Sequence, residues 1–246
     1  MQYDHRQHAG NAGDVWKHFI LTEVLERLLA KGKICTYVES HVGYPEYSLG
    51  TPGEWSGGIG RCWQRLPLLE EFCLFKLLEE INGYRLKTYL GSASLALKMA
   101  ERHRVPITAE GWDTHPCVAE AWASRPGLRF HQGDGFPGVI GLIGRSDPSL
   151  LLIDPPYLEA GDARRAADLL DTAVEAGWIV LWWQMMGAET LSQASCSMSK
   201  FSLEFQEAGL DGGRWKGATM AIAGANPDLV EHIRLRAANF LDFIQI

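Results

Sequence analysis

With 246 residues the chain is long enough to bury a full core as one domain, 1–246, and with 46% hydrophobic and 22% charged residues its composition is globular, which excludes a disordered polymer. No apolar run approaches the roughly 20 residues that cross a bilayer. A formal net charge of −7 excludes a non-specific grip on a long polyanion, because Lys and Arg supply most of that affinity, so any contact with nucleic acid has to be local.

The opening Met1-Gln-Tyr-Asp-His-Arg6 lacks the apolar centre of a signal peptide, and a cytoplasmic protein follows. Cys35, Cys62, Cys73, Cys117 and Cys196 show no CxxC spacing and read as reduced thiols. Asp14 is placed to cap a helix whose apolar positions Leu21, Val24, Leu25, Leu28 and Leu29 recur at three- and four-residue steps, burying one face, with Gly32 as its stop. Ile34 to Glu39 reads as a first buried strand. Residues 43–60 hold many glycines, with Pro45 and Pro52, and read as a loop. Residues 61–81 suggest one or two helices and Arg85 to Leu90 a short strand, so that 44–84 reads as an inserted helical subdomain. Arg61, Arg65, Lys76, Arg85, Lys87, Lys98, Arg102 and Arg104 fall mainly in one stretch. Glu70, Glu71, Glu79 and Glu80 lie among them, and a basic face and a mixed solvated surface are equally compatible with the pattern.

From there strands and helices alternate: helix near 92–103, strand 106–112, helix 115–124, strand 127–132, helix 136–142, strand 149–153, helix 162–176 and strand 178–184. Near-continuous apolar strands such as Leu150-Leu-Leu-Ile153 indicate a mainly parallel sheet covered on both sides, the doubly wound α/β class. A last pair, 202–208 and 216–223, is close enough in sequence to be antiparallel, and Pro227 opens a terminal helix. Ligands of such sheets bind at the carboxyl ends of the strands. Those ends carry Glu39-Ser40-His41-Val42-Gly43, Asp113, Asp134-Gly135 and Asp154-Pro155-Pro156-Tyr157.

The last of these has a specific chemistry. Two prolines after a buried strand deny backbone donors, leaving the Pro155 carbonyl beside the Asp154 carboxylate as two acceptors for one NH₂ group, while the Tyr157 ring offers a stacking face to a planar base. An aromatic amine is a poor nucleophile, since its lone pair is delocalised into the ring. Holding both hydrogens lets the nitrogen become tetrahedral as it attacks a sulfonium methyl, and the rest is positioning and electrostatic support. The bland alternative is a proline turn that merely ends the strand.

Further segments carry a resemblance. Tyr3-Asp-His-Arg-Gln-His8-Ala-Gly-Asn11-Ala-Gly-Asp14-Val-Trp-Lys17-His18, Tyr37-Val-Glu-Ser-His41, Gly53-Glu54-Trp55, Gly58-Ile-Gly-Arg-Cys-Trp63, Tyr89-Leu-Gly91-Ser92, Gln132-Gly-Asp134-Gly135 and Ile153-Asp154-Pro-Pro-Tyr157 together resemble the bacterial 23S ribosomal RNA adenine-N6 methyltransferases of the J type, along nearly the whole chain. The resemblance implies a Rossmann-like class I methyltransferase fold, a mainly parallel seven-stranded sheet with an antiparallel C-terminal strand and a small helical insertion. It implies S-adenosylmethionine as cofactor, held by His18, His41, Ser92, Asp113, Asp134, Gly135 and Asp154. It also implies 23S rRNA as substrate, contacted by Tyr3, Lys17 and Tyr157, with Asp154, Pro155, Pro156 and Tyr157 as the catalytic set. No membrane or obligate protein partner is implied.

Independently, a carboxylate at a strand end such as Asp113 suits paired ribose hydroxyls, and Asp134-Gly135 suits either an adenine amine or an ordinary turn. Lys17 and His18, in the first turn of a helix, suit a phosphate or an exposed helix face. His5, His8, His18 and His41 offer imidazoles to a metal, but no Cys or His pair has zinc-finger spacing and methyl transfer from a sulfonium needs no Lewis acid. The chain departs from the family at His41-Val42-Gly43-Tyr44-Pro45, where the family has H-A-G-A-G. It departs also at Asp113 for glutamate, at Trp182-Trp183-Gln184 for W-Y-P, and at Asn226-Pro227, which matches only the start of N-P-P-W. Two other functions fit the same residues: a DNA adenine or cytosine-N4 methyltransferase, because the motif recognises an amine and not the ring beneath it, and a non-catalytic nucleic-acid-binding protein linked to use of external DNA.

Overall fold

The computed structural model describes residues 5–33, 36–50, 53–145, 147, 149–186 and 194–244; Tyr3, Ile34, Cys35 and Pro52 lie outside them. A single turn, α1 (His5–His8), leads into α2 (Ala12–Ala30) and β1 (Thr36–Glu39). A short antiparallel pair, β2 (Glu46–Ser48) with β3 (Thr88–Leu90), brackets a 3-10 turn at Glu54–Ser56, α3 (Ile59–Trp63), α4 (Leu66–Leu69) and α5 (Cys73–Asn82). The alternation then runs α6 (Ser92–His103), β4 (Thr108–Asp113), α7 (Pro116–Ala123), β5 (Leu128–Gln132), α8 (Gly135–Ile143), β6 (Leu150–Ile153), α9 (Asp162–Glu175), β7 (Ile179–Met185), β8 (Met198–Glu204), β9 (Gly217–Ala223) and α10 (Pro227–Ile244).

Seven strands form one sheet in the order β5-β4-β1-β6-β7-β9-β8. The first five are parallel, and β9 runs antiparallel to both neighbours. This is the mainly parallel seven-stranded α/β sheet expected. The winding reverses between β1 and β6, so the loops after these two adjacent strands open the crevice in which such folds bind ligands.

Four local readings are corrected. Helix α2 is capped by Asn11 and not by Asp14: the Asn11 side-chain oxygen accepts the Asp14 N–H at 2.9 Å, which places Asp14 inside the first turn. Fifteen of its nineteen residues are buried rather than one face, because the sheet lies on one side and α5, α6 and α10 pack around the rest. Within 43–60 the chain forms β2, whose Tyr47 pairs with Tyr89. The penultimate strand is Met198–Glu204 and not 202–208, since the chain turns directly after it, Ala208 N–H donating to the Glu204 carbonyl at 3.1 Å and Leu210 N–H to the Phe205 carbonyl at 2.8 Å.

Apolar side chains fill both faces of the sheet. One side centres on α2, α5, α6 and α10, where the Phe19 and Phe240 rings stack at 4.4 Å, and the other on α8 and α9 against Trp178 and Trp182. Among the described residues no helix is long and apolar enough to cross a membrane.

Candidate active site

The loops after β1, β4, β5 and β6 border one cleft of about 1070 Å³. Of the residues expected at the site, Lys17, His18, His41, Ser92, Asp113, Asp134, Gly135, Asp154, Pro155, Pro156 and Tyr157 all line it, and Tyr3 lies outside the described residues.

At its centre is an ion triad. Lys17 Nζ reaches across from α2 to Asp154 Oδ2 at 2.6 Å and to Asp14 Oδ1 at 2.8 Å, so two carboxylates share one ammonium. Burial alone would discharge Lys17, but the Asp14 and Asp154 charges outweigh it and hold its pKa well above that of an ordinary lysine. Asp14 is held in turn by the Gly10 N–H at 2.9 Å, and its pKa is lowered because Lys17 overcomes the opposing effect of burial. Lys17 is thus the ion-pair partner of Asp154 as well as of Asp14. The other oxygen of Asp154, Oδ1, has no hydrogen-bond partner among the described residues, and no described N–H donates to the Pro155 carbonyl. Two acceptors at the end of β6 are thus without a hydrogen-bond partner among the described residues.

Tyr157 has φ +53°, the left-handed region that costs a bulky residue about 1–2 kcal/mol. What holds it there is its hydroxyl, which accepts from Trp182 Nε1 at 2.8 Å and donates to the Trp183 carbonyl. The ring is thereby fixed against β7.

On the other half of the cleft, the β1 and β5 loops approach so closely that a Cβ on Gly135 would lie 1.6 Å from the Ser40 carbonyl oxygen; no side chain fits. His41 packs edge-on against Phe136 at 4.8 Å with its Nδ1 2.9 Å from Ser40 Oγ, and burial lowers its pKa. Asp113 at the end of β4 accepts the His115 N–H on Oδ1 at 2.7 Å. Asp134 caps α8 through Phe136 N–H at 3.0 Å, and its other oxygen pairs with Arg165, whose guanidinium lies 4.3 Å from the Phe136 ring centroid. The turn-and-cap role is therefore in place at Asp134, and an amine ligand there competes with Arg165. Around the departure at Val42 to Pro45 the loop is held by three bonds: Val42 N–H to the Trp112 carbonyl at 2.8 Å, Trp122 Nε1 to the Gly43 carbonyl at 2.9 Å, and Gly91 N–H to the Pro45 carbonyl at 3.0 Å.

His18 and Ser92 connect the cleft to a buried carboxyl that sequence reasoning did not single out. Glu39 accepts from Tyr37 Oη at 2.6 Å and from Ser92 Oγ at 2.7 Å, and burial pushes its pKa up to about 7. His18, 2.9 Å from Tyr89 Oη, is pushed down to about 3 by burial and by Lys17. The two act on stability with opposite signs. Glu39 stabilises fully below its unfolded value near 4.5 and loses this contribution as pH rises to 7; His18 contributes above 6.5 and loses it as pH falls towards 3. In a Glu39→Gln variant the stability gain over the parent is expected to grow between pH 4.5 and 7, by up to about 1.4 kcal/mol per pH unit, as read by denaturant unfolding across that range. A difference independent of pH would refute the buried acid.

Trp182, Trp183, Gln184 and Arg165 also line the cleft and were not assigned a role from sequence. The signal for the first three was the departure from W-Y-P. It places Gln184, 3% exposed, where its side-chain oxygen lacks a hydrogen-bond partner among the described residues.

Comparison with known proteins follows the same lines. The profile of the family described as "Ribosomal RNA large subunit methyltransferase D, RlmJ" matches residues 32–207. A Haemophilus influenzae protein named Ribosomal RNA large subunit methyltransferase J is 30% identical over 188 residues, which is 72% of this chain and 66% of that protein. The Escherichia coli protein of the same name is 31% identical over 166 residues, 64% of this chain and 59% of its own length. The match thus spans less than two thirds of either relative. A crystal structure of a Legionella pneumophila protein superposes with a TM-score of 0.81 over 97% of this chain and 94% of the other; at 21% identity this shows the shared fold.

Proposed function

The chain belongs to this family of ribosomal RNA large subunit methyltransferases, and we propose that it transfers a methyl group from S-adenosylmethionine to the N6 amine of an adenine in 23S rRNA. It does so in the cytoplasm as a single domain over 1–246, with 44–84 as an insertion. The observation that carries the reading is the pair of open acceptors, Asp154 Oδ1 and the Pro155 carbonyl, beside a Tyr157 ring that is fixed in place.

The donor set fits the cofactor. Asp14, Lys17 and Asp154 sum to one net negative charge, which complements a sulfonium cation, and Asp113 at its strand end suits a ribose diol. When bound, S-adenosylmethionine supplies an electrophilic methyl group. The chain's residues do the rest. Tyr157 stacks the base once it has left its helix, Asp154 Oδ1 and the Pro155 carbonyl each accept one amine hydrogen, and the nitrogen lone pair is released from conjugation. Lys17 on Oδ2 fixes the rotation of the Asp154 carboxylate, so that Oδ1 faces the amine and takes the proton the nitrogen sheds.

Titration calorimetry with S-adenosylmethionine and nucleoside analysis of 23S rRNA from a deletion strain test this. Binding, and loss of N6-methyladenosine that returns on complementation, is the expected result. No binding at high micromolar cofactor rules out the enzyme, and loss of methylated adenine from DNA alone rules out the RNA substrate.

A further inference from the structure

Between β8 and β9 the chain reads Asp211-Gly-Gly-Arg-Trp-Lys216, and this turn borders the same cleft as Asp154. It has a defined shape. Asp211 N–H donates to the Gly57 carbonyl at 2.9 Å, Gly213 N–H to Asp211 Oδ1 at 2.9 Å and Trp215 N–H to the Gly212 carbonyl at 3.1 Å, with Gly213 at φ +60°. The Arg214 guanidinium lies 4.8 Å from the centroid of the Trp215 ring.

Both side chains are left over from the fold. Three Lys or Arg residues line the cleft; Lys17 and Arg165 are each in ion pairs, whereas Arg214 has no carboxylate partner among the described residues. Trp215 keeps 37% of its surface exposed in a chain that buries Trp16, Trp178 and Trp182, and Leu158, 66% exposed next to Tyr157, lines the cleft as well. An unpaired cation stacked on an open indole matches a nucleotide better than a peptide or a lipid: a base has a face for the indole, and its phosphate accepts the guanidinium fork. In a chain of net charge −7, such a cation at the substrate cleft supplies the local attraction that the overall charge withholds.

We propose that Arg214 and Trp215 hold the nucleotide adjacent to the target adenine, the indole stacking on its base and the guanidinium pairing with its phosphate. This rests on the RNA methyltransferase reading above. A base drawn out to Tyr157 leaves a neighbour with one uncovered face, and Trp215 covers it, offsetting part of the unstacking that extrusion requires.

The test uses the full chain with bound S-adenosylmethionine and single-stranded oligoribonucleotides that carry one adenosine, intact or with an abasic residue on its 5′ or its 3′ side. Trp215→Ala is expected to weaken binding of the intact RNA roughly 5- to 150-fold with cofactor affinity unchanged, and Trp215→Phe to restore most of it. One of the two abasic RNAs should weaken the parent protein to a similar degree and abolish its difference from Trp215→Ala. Arg214→Ala should reduce the salt dependence of binding by about one phosphate contact. Equal affinity of parent and Trp215→Ala for intact RNA, or the same loss on all three RNAs, overturns the assignment while leaving methyl transfer to deproteinised 23S rRNA intact. A parent protein that transfers no methyl group to that rRNA overturns the functional reading, and this inference with it.

Discussion

Methyl transfer by an Asp154→Ala variant is expected to fall by about 10²–10³ in kcat, the size of effect produced by removing one pre-aimed polar group from a reacting centre. The side chain is half of the proposed amine receptor. Asp154→Asn keeps an acceptor oxygen of the same reach but gives Lys17 an amide in place of a carboxylate, so its loss should be smaller. Single-turnover transfer of labelled methyl to rRNA reads both variants, with circular dichroism to check that the fold is retained. A kcat near the parent's in Asp154→Ala would show that the amine is received elsewhere.

Replacing Lys17 with methionine is expected to destabilise the protein by about 3 kcal/mol, near the lower end of what breaking a buried ion pair costs, since its carboxylate partners keep 20% side-chain exposure. Methionine preserves the volume, so the loss reports charge: Asp14 and Asp154 are left facing each other without the ammonium between them. For a chain of this length the melting temperature should drop by about 6–12 °C. The sign of the pH dependence is fixed as well. Asp14 has a lowered pKa, so its contribution is present above its unfolded value of 3.8 and is lost on acidification; Lys17 has a raised one, present below 10.5 and lost as pH rises beyond it. The difference between parent and variant is therefore widest between these limits and closes outside them. An unchanged melting temperature at pH 7 would mean that the triad contributes no net stability.

How much of this was readable in advance depends on the range over which each signal acts. The parallel core was legible because β6 and β7 are near-continuous runs of apolar residues whose burial needs no knowledge of their neighbours. Asp154 to Tyr157 was legible because its chemistry lies within four consecutive residues. The three residues of β2 are too few for their alternation to stand out, and they become a strand only by pairing with β3, forty residues later. In β8, the alternation of Phe201 and Leu203 with exposed neighbours continues into buried Phe205, and the eye extends the strand past the point where the backbone turns. Side-chain partners were the least accessible. Lys17 and Asp154 are separated by 137 positions, and Asp134 and Arg165 by 31, so the partners of Lys17 and Asp134 emerge only once the sheet brings them together. Glu39 was legible as a polar residue at a strand end, but not as the carboxyl on which Tyr37 and Ser92 converge.

The Tyr157 hydroxyl is tied to two consecutive residues of β7, and this has a thermodynamic consequence for base capture. A free side chain that must be immobilised on docking forfeits about 0.5–1.5 kcal/mol of rotamer entropy, whereas this ring has surrendered its freedom during folding. The entropy of docking is then borne by the nucleotide alone. On the proposed reading, a platform that does not swing also spares the protein any rearrangement on docking, so the stacking face is in place before the base arrives.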